Sequence, residues 1–329
     1  MDPAEIRAGR RCPSLVRLCL AALVPILAAC GEEPAWLRVG TNPWPGYAPL
    51  YLAQDLGYFA DRRIRLVDLA SSTGASRALA DGALEAAALT LDEALRLRRA
   101  LPDLRIVLVL DISAGGDALL VPPEIREPAQ LRRKRIGVES TAVGAYLLTR
   151  FLERNGLGIE DVQPVWLAAD EHESAFREGR VDAVVTHEPM RTRLLRQGAR
   201  VLFDSRALPG EIVDVLVVRG RCLERQPGAV RTLAEGWFRA LDFLAREPTG
   251  ALERMAPRLG LGTGELKAAL QGLELGGRDL NRRLLGVSPT PLLQTARAIW
   301  ENMRRWELVQ GPPPEPGPDL VVPPREIAP

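Results

Sequence analysis

The sequence is poor in histidine and cysteine and has no excess charge of one sign, and each shortage excludes a class of function. Its 329 residues include two histidines, His172 and His187, and neither lies in a metal-ligand pattern, so we expect no metal and no cofactor. The 43 basic and 42 acidic residues give a formal charge of +1, which argues against a nucleic-acid partner. After residue 29, cysteine occurs only at Cys30 and Cys222, too few for a disulfide framework.

Motifs for catalysis are also missing. Ser140 does not lie in a nucleophile elbow, and Gly115-Gly116 lacks the lysine of a phosphate-binding loop. His187 and Glu188 could form an acid–base pair, but adjacent residues of a helix point apart. We therefore expect that the protein is not an enzyme.

Hydrophobic runs are too short for a membrane-spanning helix, which needs about 20 residues. An uncharged apolar run at 18–29 follows several arginines, which is typical of an export signal. It ends in Leu27-Ala28-Ala29-Cys30, which resembles a bacterial lipobox with Cys30 as the lipidated residue. An ordinary secretory signal cleaved at the same small residues is the alternative. We predict a signal peptide at 1–29, a tether at 30–35 and a lipid anchor in the periplasm or at the cell surface.

Two similar segments follow each other about 97 residues apart, with Gly40 matching Gly137 and Gly82 matching Gly179. Strands alternate with helices in both, which predicts βαβ units, parallel sheets and hence two α/β lobes. Short apolar segments at 118–121 and 212–219 are interpreted as two crossovers between the lobes. The predicted domains are lobe 1 (36–118 plus 217–310), lobe 2 (122–212) and a Pro-rich tail (311–329) that is either an extended strap or disordered.

The loops beyond the carboxyl ends of the strands predict a ligand cleft between the lobes. Trp44 and Tyr47 offer aromatic faces for stacking or for caging a cation, although one of them could instead fill the core. Hydroxyl side chains stand where helices begin, and there they could cap a helix as well as contact ligand. These residues are Ser72, Thr73, Thr90, Ser140 and Thr141.

Acidic side chains on the same loops are more distinctive. The helix dipole would account for two of them, a turn for a third, and Asp214 interrupts an apolar run where a buried carboxylate is costly without a partner. Together they predict an amine, an amidine or a zwitterion as ligand rather than a bare anion. The acids are Asp92, Asp111, Asp117, Glu188 and Asp214.

Four sequence features together resemble one family, the periplasmic substrate-binding proteins of nitrate/sulfonate/taurine-type ABC importers and of thiamine and flavin precursors. They are the lipobox, residues 44–53, residues 57–59 and residues 179–183, and the resemblance covers about residues 36–250. It implies the type II periplasmic-binding-protein fold, in which two α/β lobes joined by two crossover hinges close around the ligand. It also implies an ABC permease as partner, to which the ligand is delivered.

The resemblance thus implies a lipid-anchored solute receptor, which we expect to be monomeric, with its ligand held by the cleft residues named above. Sulfonate-binding members offer positive or amide donors where these loops offer acids and hydroxyls. An amine-bearing, zwitterionic or heterocyclic nutrient is therefore favoured over bare sulfonate or nitrate. The alternatives are an exported ligand-sensing protein of the same fold, or an exported enzyme. The related thiamine-pyrimidine synthases use a cysteine-rich motif that this chain lacks.

Overall fold

The computed structural model describes residues 36–60, 62–140, 143–286, 290–311 and 320–323. The predicted signal peptide, the tether with Cys30, Thr141 and most of the Pro-rich tail therefore lie outside the described residues. Within the described ranges, none of the helices combines the length and the apolar character that crossing a membrane requires.

Strands and helices alternate along most of the chain. The strands are β1 (Leu37–Thr41), β2 (Ile64–Asp68), β3 (Ala86–Thr90), β4 (Leu104–Ser113), β5 (Asp117–Val121), β6 (Arg135–Val138), β7 (Gln163–Trp166), β8 (Ala183–His187), β9 (Arg200–Asp204), β10 (Val213–Arg219) and β11 (Leu273–Leu275). The helices are α1 (Ala48–Asp55), α2 (Ser72–Ala80), α3 (Leu91–Ala100), α4 (Val143–Arg154), α5 (His172–Arg177), α6 (Met190–Arg196), α7 (Gly220–Arg225), α8 (Pro227–Arg246), α9 (Pro248–Leu259), α10 (Thr263–Leu270), α11 (Arg278–Leu285) and α12 (Pro291–Arg305).

Two mixed sheets form the centres of two lobes. In the part of the chain that is described, the first sheet has the order β11-β4-β10-β3-β1-β2 and the second has β7-β6-β8-β5-β9. β1 is parallel to β2 and β3, and β6 is parallel to β7 and β8. β10 runs antiparallel between β3 and β4, and β5 runs antiparallel between β8 and β9. β10 in the first sheet and β5 in the second are thus inner strands antiparallel to both neighbours, as is β4 between β10 and β11.

The two segments interpreted as crossovers are β5 and β10, so that interpretation is wrong. Every residue of β5 is buried, as is nearly all of β10, and a buried segment of this kind satisfies its backbone groups by pairing on both sides. The predicted limits at 118 and 217 fall inside β5 and β10. The actual connections between the lobes are residues 114–116 and 205–212, and Ser205 joins them through hydrogen bonds to Ser113 Oγ (2.8 Å) and from Gly115 N (2.6 Å).

An arginine–carboxylate clamp occurs once in each lobe at the same position of the repeat. Arg38 donates from Nε (2.9 Å) and Nη2 (2.6 Å) to Glu85, and from Nη2 to the Gly82 carbonyl (3.2 Å). Arg135 makes the same three bonds to Asp182 (3.1 and 2.9 Å) and to the Gly179 carbonyl (2.9 Å). Each clamp ties the start of one strand to the loop before the next strand. The duplication seen in the sequence therefore extends to individual side-chain contacts.

The C-terminal helices pack mainly on the first lobe, and the last of them also reaches the second. Thr290 caps the start of α12, because its hydroxyl accepts a hydrogen bond from Leu293 N (3.3 Å). Trp300 of the same helix is completely buried. Its Asn302 side chain accepts a bond from Thr149 of α4 (3.0 Å). Beyond the helices, Val321 forms a parallel bridge with Ile106 at the sheet of the first lobe. This short piece of the Pro-rich tail is extended along β4.

Candidate ligand-binding site

A small cavity of about 20 Å³ lies between the lobes, enough space for about one water molecule. It opens at the carboxyl ends of β1, β3 and β8. Because β5 and β10 run in the opposite direction, their first residues reach the same edge. The first lobe contributes Asn42, Trp44, Tyr47, Ser72, Thr90 and Asp214, and the second contributes Asp117, Val143 and His187.

The loop after β1 is held by two buried carboxyl groups. Its Pro45–Tyr47 segment forms a 3₁₀ turn, from which Trp44 Nε1 donates to Asp111 Oδ2 (3.1 Å) and Tyr47 Oη donates to Asp214. A Cβ atom on Gly46 would lie 1.9 Å from Asp111 Oδ2 and 2.5 Å from Trp44 Nε1. Only glycine therefore lets the tryptophan and the carboxyl group meet at this turn.

Asp111 and Asp214 are cross-strand partners on β4 and β10, so their carboxyl groups face a common environment. Burial raises the pKa of Asp111 to about 8, against the opposing effect of the Trp44 hydrogen bond. Burial, followed by the charge of Asp111, raises the pKa of Asp214 well above its usual range. Two such close carboxyl groups titrate as a pair, because the charge of one opposes the ionisation of the other.

A second acidic pair stands at the start of α3. Thr90 Oγ1 donates to Asp92 (2.6 Å), Ser72 Oγ donates to Glu93 (2.5 Å), and Glu93 also accepts from Thr90 N (3.0 Å). Burial raises the pKa of both carboxyl groups, that of Glu93 to about 8 with a further contribution from the charge of Asp92. The hydroxyl groups of Ser72 and Thr90 on the cavity wall are thus each hydrogen-bonded to a carboxyl group behind them.

The wall from the second lobe carries a histidine and an acid. The His187 ring meets the Trp44 ring edge-on, with 5.9 Å between centroids and 75° between planes. Burial raises the pKa of Asp117, and nearby His187 opposes that effect. Among the described residues, no three His, Cys, Asp or Glu side chains are arranged to hold a metal ion.

The structure brings Trp44, Tyr47, Ser72, Thr90, Asp117 and Asp214 of the predicted set together on the cavity wall. The other members of that set have different positions. Asp92 lies behind Thr90, and Thr73 donates across the cleft to Glu139 of the second lobe. Glu188 accepts from the Arg191 side chain (3.0 Å) and from Thr192 N (3.1 Å) at the start of α6. Ser140 is exposed, and Thr141 lies outside the described residues.

Sequence reasoning missed Asn42, Val143 and Glu93, and it considered His187 only as an acid–base partner. The repeat could have identified some of them. The offset of 97 residues that relates the two clamps maps Thr90 onto His187 and Asn42 onto Glu139. Thr90 and His187 are the last residues of equivalent strands, and both line the cavity.

Two α/β lobes, two short connections and a cavity lined from both lobes define a ligand-binding protein with the periplasmic-binding-protein fold. Residues 30–260 match the NMT1-like family, and the chain belongs to that family. This agrees with the class of binding proteins that the sequence motifs resemble.

Two of the similar proteins are named as sulfonate-binding proteins, and a third is named as a component of an import system. The chain is 26% identical over 201 residues to a putative aliphatic sulfonates-binding protein of Escherichia coli K12, covering 58% of this chain and about 62% of the relative's length. The alkanesulfonate-binding protein SsuA from Xanthomonas axonopodis pv. citri, bound to MOPS, superposes with a TM-score of 0.73 at 22% identity, covering 85% of this chain and 96% of that one. A ligand-binding component of an ABC-type import system from Staphylococcus aureus gives 0.72 at 14% identity, covering 88% and 98%. These similarities in structure show the fold.

Proposed function

We propose that the protein is the lipid-anchored solute receptor of an ABC importer and captures a small polar nutrient between its lobes. The observation that carries the proposal is a cavity at the carboxyl ends of the strands whose wall combines residues from both lobes. Such a wall is complete only when the lobes are closed, so a bound solute favours closure. A permease that distinguishes closed from open lobes could then accept the loaded receptor.

Contacts across the cleft support a closed arrangement. Thr73 of the first lobe donates to Glu139 of the second, and the Trp44 and His187 rings meet from opposite sides. At the rim, Arg193 Nη2 donates to the Leu259 carbonyl (2.8 Å). Ion pairs of Arg196 with Glu265 and of Arg305 with Glu153 (2.5 Å) also join the lobes, and ligand contacts would add to this set.

The chemistry of the wall supports an amine-bearing, zwitterionic or heterocyclic solute rather than a bare sulfonate or nitrate. Asp117 and Asp214 line the cavity, and Asp111, Asp92 and Glu93 stand directly behind it. A bound cation would be balanced by ionisation of these acids, whereas an anion gains no positive partner from them.

Native mass spectrometry of the purified protein tests the receptor function. We expect a complex heavier than the chain by one small molecule, which is lost under denaturing conditions. Asp214→Asn, in the cavity wall, should lose the added mass. Asp204→Asn changes an equally buried acid away from the cavity and should keep it. The proposal fails if no mass is added and no compound in a nutrient library raises the melting temperature of the folded protein.

The lipid anchor is proposed from the lipobox alone, and its test is independent of the cleft. Cells grown with radiolabelled palmitate should label the wild-type protein and should not label Cys30→Ser. Cys222→Ser is the matched control, because Cys222 is buried inside the first lobe and should not affect labelling. Equal labelling of the wild-type protein and Cys30→Ser would rule out the anchor and leave an ordinary secretory signal.

A further inference from the structure

Each hydroxyl group on the cavity wall donates a hydrogen bond to a carboxyl group behind it. Tyr47 donates to Asp214, Ser72 to Glu93 at 2.5 Å, and Thr90 to Asp92 at 2.6 Å. A hydroxyl has one proton and two lone pairs, so after donating it can only accept. Three groups that could have bound an anion therefore present lone pairs to the ligand.

Asn42 independently points to a ligand that donates. It lines the cavity and is 7% exposed, yet its Oδ1 atom has no hydrogen-bond partner among the described residues. A buried carbonyl oxygen without a donor is unfavourable, and such groups in native proteins usually await a partner. A ligand with an N–H group directed at Asn42 would satisfy it.

Backbone and ring donors near the cavity are also occupied. The start of α3 could bind an anion, but its Thr90 N–H donates to Glu93 (3.0 Å). His187 Nδ1 lies 2.8 Å from the Glu188 carbonyl, which can only accept, so Nδ1 donates there. Trp44 Nε1 already donates to Asp111.

The charges around the cavity favour a cation. Arg96 and Arg191 are the nearby arginines on α3 and α6. Arg191 is paired with Glu188 (3.0 Å), and Arg96 donates to the Leu308 carbonyl (3.2 Å) while its charge acts on Asp92. Arg96 Nε and Nη2 and Arg191 Nε have no hydrogen-bond partner among the described residues. Seven acids of both lobes stand around the cavity, and burial raises the pKa of five of them, so a bound cation would be balanced as these five ionise. The seven acids are Asp92, Glu93, Asp111, Asp117, Glu139, Glu188 and Asp214.

We propose that the cavity recognises a protonated amine with several N–H donors, and that it discriminates against anions and against quaternary ammonium ions. This inference rests on the proposed receptor function and narrows its ligand. Charge alone would admit a quaternary ammonium ion. The lone pairs of Asn42, Tyr47, Ser72 and Thr90 add the requirement for N–H groups.

Four probes of matched tetrahedral shape separate charge from hydrogen bonding: tert-butylammonium, tetramethylammonium, tert-butanol and methanesulfonate. Each is titrated into the purified protein at constant ionic strength, with the melting temperature as readout. We expect tert-butylammonium to bind about tenfold more tightly than tetramethylammonium, the effect of losing one or two buried hydrogen bonds. Methanesulfonate and tert-butanol should cause no shift. Equal binding of the two cations, or stronger binding of methanesulfonate, would overturn the inference.

Two substitutions of Asn42 test the direction of its hydrogen bond. Asn42→Ala removes the acceptor and should weaken tert-butylammonium binding about fivefold. Asn42→Asp keeps an acceptor oxygen and should bind tert-butylammonium at least as tightly as the wild-type protein. The opposite pattern would mean that the Asn42 amide donates, and the inference would be wrong.

The failures of the two proposals are distinguishable. Binding of methanesulfonate would contradict the ammonium inference and leave the receptor function standing. If none of the four probes binds, the ammonium inference fails, and the mass spectrum of the purified protein then decides the receptor function separately.

Discussion

At the scale of single residues, the most consequential arrangement is the chain Trp44–Asp111–Asp214–Tyr47. Trp44 and Tyr47 each donate to one of the carboxyl groups, and all four side chains are buried. Two buried acids without a basic partner are stable mainly as a pair that shares a proton. The loop with both aromatic residues is therefore anchored by groups whose charge depends on pH.

The free energy of unfolding of the unliganded protein should fall as the pH rises from 5 to 8. Burial raises the pKa of Asp111 to about 8, while the unfolded carboxyl group titrates near 3.8. Between these values the folded state holds more protons, so alkali favours unfolding by about 1.4 kcal/mol per pH unit for each proton. Urea titrations of the wild-type protein and Asp111→Asn at several pH values measure this, and the variant should show the shallower slope.

Asp182→Asn is the control for that prediction. The hydrogen bond from Arg135 lowers the pKa of Asp182, so its stabilising effect is complete above the unfolded pKa and is lost only as the pH falls below it. This variant should keep the wild-type slope between pH 5 and 8. A wild-type slope in Asp111→Asn would show that Asp111 is ionised in the folded protein.

At the scale of elements, the sequence predicts the alternation of strands and helices but not the role of β5 and β10. Their apolar, β-branched composition suits an inner strand and a crossover alike. Pairing on both sides depends on partners distant in the sequence, which local patterns do not contain. The same limit applies to the site. Loop position predicted Trp44 and Tyr47 for the cleft, and both line the cavity. Glu188 was predicted for the cleft in the same way, but it caps α6 through a local hydrogen bond from Thr192 N, which loop position does not predict.

The connection between the lobes should depend on Ser205. Its hydroxyl, which is buried, contacts Ser113 Oγ (2.8 Å) and accepts from Gly115 N (2.6 Å). Ser205→Ala leaves both groups without this partner, and the expected loss of unfolding free energy in urea is about 1–3 kcal/mol. Ser174 of α5 is half-buried, and its hydrogen bonds to the Glu171 carbonyl (3.1 Å) and from Arg180 (3.1 Å) lie at the surface, so Ser174→Ala should change stability by less than about 0.5 kcal/mol. Equal effects of the two substitutions would contradict a structural role for Ser205.

At the scale of the whole molecule, polar contacts around the cleft and a continuous apolar core both join the lobes. Thr73 meets Glu139 beside the cavity, and Arg193 meets Leu259 at the rim. On another side, α12 contacts α4 through Asn302 and Thr149. The apolar core includes Leu79 of the first lobe, Phe151 of the second and Trp300 of α12, so each polar contact contributes only part of the free energy of closure.

Thr73→Val should therefore shift the population toward open lobes. It keeps the size of the side chain but removes the bond to Glu139, so the ratio of open to closed molecules should rise about two- to tenfold. The apparent ligand affinity falls with the population of the closed state. Small-angle X-ray scattering of the unliganded Thr73→Val variant should give a larger radius of gyration than that of the wild-type protein. Thr249→Val, at an exposed position of α9, is the control. An unchanged radius and affinity would show that this bond does not control closure.

The two clamps, Arg38–Glu85 and Arg135–Asp182, have a consequence for how the ligand is oriented. They occupy equivalent positions in the two lobes, so the scaffold retains the symmetry of the sequence repeat. The cavity has not kept it, because the equivalent positions hold Asn42 and Glu139, and Thr90 and His187. The two walls of the cavity, one from each lobe, therefore differ in shape and in hydrogen bonding. The two possible orientations of an asymmetric solute therefore differ in binding free energy, and one of them is favoured.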